Sequence, residues 1–239
     1  MARDELLPLP GKLTQEEGYA VRLLTTTTWL LLAMAMTATP GPAKPGEKPA
    51  PAPGATVVTR ILAVGDSITD GYGLDRTEAW PALLQQRILQ ETKRKIHIVN
   101  AGTPGATSAF GIRTIRFHIK RRRPDLIVLA LGGNDSLRGL PVEETRRNLQ
   151  AAIDLAREHK IPLLLAGMQA PPNNGPVFTR KFNAIFKELH RTNTVPLVPF
   201  LLEGVAGERQ MNQADGIHPN AAGQKVISQT IWIHIKELL

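Results

Sequence analysis

An α/β fold on a mainly parallel, five-stranded sheet is predicted by two features of the sequence. Five short, nearly continuous apolar runs alternate with five segments of helical apolar spacing. The runs also lack the in–out alternation of a sheet with one wet face, so helices should cover both sides. Such a βα series winds with right-handed crossovers.

The strands are expected at Val58–Val64, Ile96–Ala101, Leu126–Leu131, Pro162–Gly167 and Pro196–Phe200. Between them, Trp80, Leu83, Leu84, Ile88 and Leu89 mark one helix. Ile112, Ile115 and Ile119 mark a second, and Leu149, Ala152, Ile153 and Ala156 a third. A fourth carries Phe178, Phe182, Ile185, Phe186 and Leu189, and the last runs from about Ala221 through Ile233.

Ahead of this domain, expected at 57–239, lie two other segments. Val21–Ala43, "VRLLTTTTWLLLAMAMTATPGPA", has one base, an apolar core at Trp29–Met36 and then small residues. The core is far shorter than the roughly 20 residues that span a bilayer. Residues 1–38 therefore read as holding a secretory signal, with translation starting near Val21 and export to the periplasm or medium. A cytosolic protein with an apolar N-terminal helix is the alternative. Residues 39–56, rich in Pro, Ala and Gly, read as an extended tether.

Composition narrows the function classes. With no cysteine among 239 residues, disulfides, thiolate zinc sites and a cysteine nucleophile are excluded. The net charge of +8 lies wholly beyond residue 56, because residues 1–56 hold five bases and five acids. Its densest run, Lys120-Arg121-Arg122-Arg123, closes the second helix, where cations meet the negative end of the helix dipole. No aromatic interrupts that run to stack bases, so no nucleic-acid partner is expected, while peripheral contact with anionic lipid is compatible with it.

Sites in parallel α/β sheets form beyond the carboxyl ends of the strands, and the unusual residues follow that rule. Gly65-Asp66-Ser67 follows the first strand, "NAGTPGATS" the second and "LGGND" the third, while "DGIHPN" precedes the last helix. A serine hydroxyl needs a base to become a nucleophile. Of six histidines only His218 falls in one of these loops, and Asp215 lies close enough in sequence to orient its ring. Donors for an oxyanion are available from the Ser67 amide, a glycine N–H in "GTPG" and the Asn134 side chain. Each segment alone also fits a turn or a cap, and Asp66 and Asp135 read as such turn and cap groups. A metal site at Asp215 and His218 is disfavoured by the lack of further histidines on the rim.

In this order, "GDSIT", "NAGTPGATS", "GGND" and "DGIHPN" resemble the four blocks of the SGNH (GDSL-type) serine hydrolases, most closely the thioesterase I/arylesterase/lysophospholipase branch. "AWPALL" near Trp80 and "PLVPF" near Phe200 extend the likeness. The resemblance implies a flavodoxin-like three-layer α/β/α fold, no metal and no cofactor. It implies Ser67 as nucleophile, His218 as base, Asp215 as orienting acid, and Gly105 and Asn134 as oxyanion donors beside the Ser67 amide. The expected substrate is a small-molecule ester or thioester with a short-to-medium acyl chain, an aryl ester or a lysophospholipid. "QAPPNNGPVF" from Gln169 and "LLEGVAGERQMNQA" from Leu201 are expected to frame the acyl groove. A carbohydrate acetylesterase and a non-catalytic envelope-polymer binding module are the alternatives, and a monomer is expected.

Overall fold

The computed structural model describes residues 58–239. The N-terminal segment and the Pro/Ala-rich tether lie outside the described residues. Five strands, β1 (Arg60–Gly65), β2 (His97–Gly102), β3 (Leu126–Ala130), β4 (Leu163–Ala166) and β5 (Leu197–Val198), form one sheet in the order β2-β1-β3-β4-β5. Every pairing is parallel. The three-layer architecture is completed by α2 (Trp80–Thr92) and α7 (Ala221–Ile235), which pack side by side, and by α3 (Phe110–Arg122), α5 (Val142–Glu158) and α6 (Gly175–Asn193), which form a second packed row. Two short helices, α1 (Ser67–Asp70) and α4 (Gly133–Leu137), follow β1 and β3 directly.

The apolar runs become strands because both of their faces are covered. Ile61 to Val64 and Leu126 to Leu131 are at most 1% exposed, and Trp80, Ile115, Phe182, Phe186 and Ile231 pack against them from the helices. Strand order reverses between β1 and β3, so their carboxyl ends open the crevice where such folds place ligands. Gly65 pairs with both Gly102 and Ala130, which brings three strand ends level at that rim.

The first four strands each shift by one or two residues at one or both ends, and the fifth strand and fourth helix shift for identifiable reasons. The first strand ends one residue later than expected, at Gly65. The fifth shrinks to two residues, because Pro196 and Pro199 flank it and lack the N–H a ladder needs. The fourth helix starts at Gly175, with Pro176 in its first turn where a missing N–H costs nothing.

Close backbone approach explains one glycine. A Cβ on Gly102 would lie 2.2 Å from the Asp70 nitrogen and 2.7 Å from its Cα, so β2 and α1 touch backbone to backbone. Gly102→Ala should push α1 outward and destabilise the protein by about 1–3 kcal/mol, the ordinary range for overpacking. Urea unfolding monitored by circular dichroism checks this. Activity should fall with it, because Ser67 sits on α1.

Candidate active site

The chain leaves β1 at Gly65 and turns at once into α1. Asp66 caps that helix by accepting the Ile68 N–H at 3.0 Å, a side-chain cap of the usual kind. Ser67 is thus the first helical residue, and the Ser67 N–H donates to no group among the described residues. At the other end of α1 the carbonyls of Thr69 and Asp70 accept from the Asn100 side chain at 2.9 and 3.3 Å. Gln224 of α7 ties the same helix down, donating to the Ile68 carbonyl at 3.0 Å and accepting from the Trp80 N–H at 2.8 Å.

The imidazole arrives on a loop with its own ladder. Asn212 bridges Pro219 in antiparallel fashion, and the Gln213 N–H donates to the His218 carbonyl at 2.8 Å. Gly216 takes a left-handed φ of 69° at the tip. Within this loop Asp215 Oδ1 accepts the Ile217 and His218 backbone N–H groups at 2.9 and 3.0 Å. Its Oδ2 lies 2.6 Å from His218 Nδ1, and His218 Nε2 lies 3.0 Å from Ser67 Oγ. The three side chains that sequence reasoning placed on one rim are joined in an unbroken hydrogen-bonded chain. Hydrogen bonds from the His218 ring, its backbone N–H and that of Ile217 hold the Asp215 carboxyl down at about 2. It is therefore an anion throughout the range in which imidazole titrates, and can hold the ring with Nε2 free to take a proton from the serine.

Sequence reasoning missed Tyr72. Its ring centroid lies 4.7 Å from that of His218, tilted by 40°, and the side chain is half exposed. The residue follows the left-handed Gly71 that ends α1, and no periodicity marks it.

Of the two glycines in "NAGTPGATS", the N–H of Gly102 donates to Asn100 Oδ1 at 2.9 Å, whereas that of Gly105 has no acceptor among the described residues. Gly105 takes a left-handed φ of 76°, and Arg138 donates to its carbonyl at 3.0 Å. Asn134, in the first turn of α4, reaches between the two loops. Its Nδ2 donates to the Ala106 carbonyl at 3.0 Å and points at Asp66 Oδ2 from 3.4 Å. The asparagine thus links the residue before Ser67 to the residue after Gly105.

Asp66 is the cap the sequence suggested. Asp135 is neither a turn nor a cap of its own segment. It is buried, and accepts from the Ser108 N–H at 2.8 Å, the Ser108 hydroxyl and the Thr145 hydroxyl at 3.2 Å. A carboxylate after β3 thereby pins the loop after β2 and the start of α5, a tie between distant segments that local pattern cannot reveal.

Burial raises the Asp66 carboxyl to about 6, despite the Ile68 hydrogen bond and the nearby His218. In the unfolded chain it titrates near 4. A carboxyl raised on folding contributes stability that is fully present below about pH 4 and is lost as the pH rises through about 6. Asp66→Asn should therefore flatten the stability profile between pH 4 and 7 by about 2–3 kcal/mol, read as urea midpoints of both proteins at the two pH values.

Beside this cluster a groove of about 530 Å³ runs from Ile68, Gly133 and Ile217 toward Met168, Phe200 and Leu202. Gln169 to Pro172 line one side, and Ala206, Gly207 and Asn212 belong to the other expected loop. Both segments singled out in the sequence frame it. The other five histidines stand elsewhere, at the start of β2, on α3, α6 and α7, and at the end of α5. Among the described residues no three His, Asp or Glu side chains converge as a metal site.

Residues 63–226 match the model of the GDSL-like Lipase/Acylhydrolase family. The chain belongs to that family. It is 40% identical over 179 residues to Esterase TesA of Pseudomonas aeruginosa, covering 75% of this chain and 89% of that one. Identity is 34% over 185 residues to thioesterase 1/protease 1/lysophospholipase L1 of Escherichia coli, covering 77% and 87%. The crystal structure of the psychrotrophic esterase EstA from Pseudoalteromonas sp., inhibited by monoethylphosphonate, superposes with a TM-score of 0.71 at 30% identity, over 75% of this chain and 98% of that one. The GDSL-like fold of these relatives is the parallel five-stranded sandwich described above.

Proposed function

We propose that the chain is a serine esterase and thioesterase that hydrolyses small acyl esters through an acyl-enzyme. Ser67 Oγ attacks the acyl carbonyl carbon as its proton passes to His218 Nε2, while Asp215 stabilises the imidazolium that forms. The oxyanion is held by the Ser67 and Gly105 N–H groups and by Asn134 Nδ2, which turns to it the N–H of its long 3.4 Å contact with Asp66; none of these must add charge to the site. Imidazolium then protonates the departing alcohol or thiol. Water, deprotonated by His218, attacks the acyl-enzyme and returns Ser67.

The observation that carries this reading is the hydrogen-bonded run from Asp215 through His218 to Ser67, at 2.6 and 3.0 Å, at the mouth of an apolar groove. The groove also favours an acyl chain over a lone acetyl group: Ile68, Leu137, Met168, Phe200, Leu202 and Ile217 offer an apolar wall far longer than two carbons need. A panel of aryl esters and thioesters of increasing chain length tests this. Turnover of medium chains should exceed that of acetyl esters, and Ala206→Phe should lower kcat/KM for the longest chains about tenfold while sparing acetyl esters. A preference for acetylated sugars with no gain from chain length would favour the carbohydrate acetylesterase instead.

The proposed enzyme is exported, works as a monomer and takes no nucleic-acid partner. Among the described residues no helix is long and apolar enough to cross a membrane. Recovery of the mature protein with an N-terminus beyond Ala35 supports export, and an intact Met1 or Ala2 end contradicts it.

A further inference from the structure

The outward face of α3 has no role in the reaction and carries an unusual combination of groups. Phe110–Arg122 holds five bases, Arg113, Arg116, Lys120, Arg121 and Arg122, and no acid. None of the five pairs with a carboxylate among the described residues, whereas Arg87 of α2 and Arg146 and Arg157 of α5 each do. Gly111 and Ile115 face the core. At 3.6 residues per turn the opposite arc then runs through Arg116, Lys120, Arg113, Phe117, Phe110 and Arg121, with Arg113 at its crest and Phe117 next to it. Phe117 is 55% exposed and Phe110 36%. The Arg113 guanidinium sits 4.7 Å from the Phe110 ring centre and that of Arg121 6.0 Å from the Phe117 ring centre. A cationic stripe without carboxylate partners among the described residues, with two phenylalanines held among the guanidiniums, suits a partner that is both anionic and able to take apolar rings.

We propose that this face of α3 docks the protein on an anionic bilayer surface. Lysine and arginine on a helix face interleaved with phenylalanine is how interfacial helices combine headgroup attraction with shallow burial of rings. The net charge of +8 adds long-range attraction toward such a surface. A convex helix ridge offers no groove to track a nucleic-acid backbone, which sets this occupant ahead of RNA or DNA. Asp125, the next carboxylate along the chain from the cationic end, is turned to the Thr59 and Arg60 N–H groups. Position links the surface to catalysis. Phe110 begins α3 directly after the Gly105 loop, and Tyr72, Leu137 and Ile217, also exposed, stand in the other loops at that carboxyl edge. A chain lying on α3 keeps the start of that helix, next to the Gly105 loop, at the lipid, where acyl esters partition.

Co-sedimentation of the full chain with vesicles tests this, using phosphatidylglycerol mixed with phosphatidylcholine against phosphatidylcholine alone. Partition should be at least tenfold greater on the anionic vesicles and should fall steeply at 1 M salt, where screening shortens to about 3 Å. Two variants separate the contributions. Arg113→Gln combined with Lys120→Gln and Arg121→Gln should lose about tenfold or more, and Phe117→Ser should lose severalfold at unchanged charge. Both should hydrolyse a soluble aryl ester at the parental rate, which shows that they fold. Equal partition on neutral vesicles, or anionic binding unchanged in both variants, overturns the proposal. So does tight binding to a single-stranded oligonucleotide with none to vesicles.

Discussion

Ser67→Ala should lower kcat/KM for an aryl ester by at least about 10⁴-fold while leaving the circular dichroism spectrum and the urea midpoint close to the parent. The size follows from the chemistry. Without the hydroxyl no acyl-enzyme forms, and what remains is water attack helped by the oxyanion donors and by substrate binding. Stability should be nearly unaffected because the Ser67 side chain, only partly buried, bonds only to His218 among the described residues, while α1 is held through Asp66, Asn100 and Gln224 instead. Steady-state kinetics over an enzyme range wide enough to exclude trace parent protein provides the check. Retention of more than a tenth of the activity contradicts nucleophilic catalysis by this residue.

Asp215→Asn should cost about 10³–10⁴-fold in kcat with little change in KM. The carboxylate uses its two oxygens differently: Oδ1 takes two backbone N–H groups of its own loop, and Oδ2 takes the His218 ring N–H. A carboxamide has one acceptor oxygen. If it keeps the two backbone bonds that shape the loop, its NH₂ faces His218 Nδ1. That selects the tautomer protonated at Nε2, the atom that must accept the Ser67 proton. The loop should hold its conformation, so binding survives while proton transfer fails. Because the Asp215 carboxyl is held down at about 2, its own protonation should add no acidic limb to the parent's pH–activity profile above about pH 4. A large rise in KM at constant kcat would mean that Asp215 serves only to shape the loop.

Much of this was legible in the sequence, and the parts that were not share a physical cause. Strands and long helices are written in local apolar spacing, so β1 to β4 and α2, α3, α5, α6 and α7 emerge with shifts of a few residues. Helices α1 and α4 span one turn each and carry no period, so their existence rests on the Asp66 cap and the Gly132 turn. The meeting of Ser67, His218 and Asp215 was legible because few residue types suit such a chain and because loop position is fixed by strand order. The choice of Gly105 over Gly102 rested on resemblance; what coordinates add is an amide engaged by Asn100 in one case and without an acceptor among the described residues in the other. Tyr72 against His218, Asp135 under the Ser108 loop and Arg138 on the Gly105 carbonyl are side-chain ties between segments that meet only after folding. The basic run closes α3 as its position implied, while the two phenylalanines that precede it on the same helix carry no signal in that run itself.

The atom that the acyl group joins decides most directly between this mechanism and any other. The full chain should be treated with an organophosphate ester, digested, and its peptides sequenced by tandem mass spectrometry. A single phosphoryl adduct on Ser67, formed in step with loss of esterase activity and absent after His218→Ala, is the expected result. Complete inactivation with the adduct on another residue, or full activity in a protein labelled at Ser67, would contradict it.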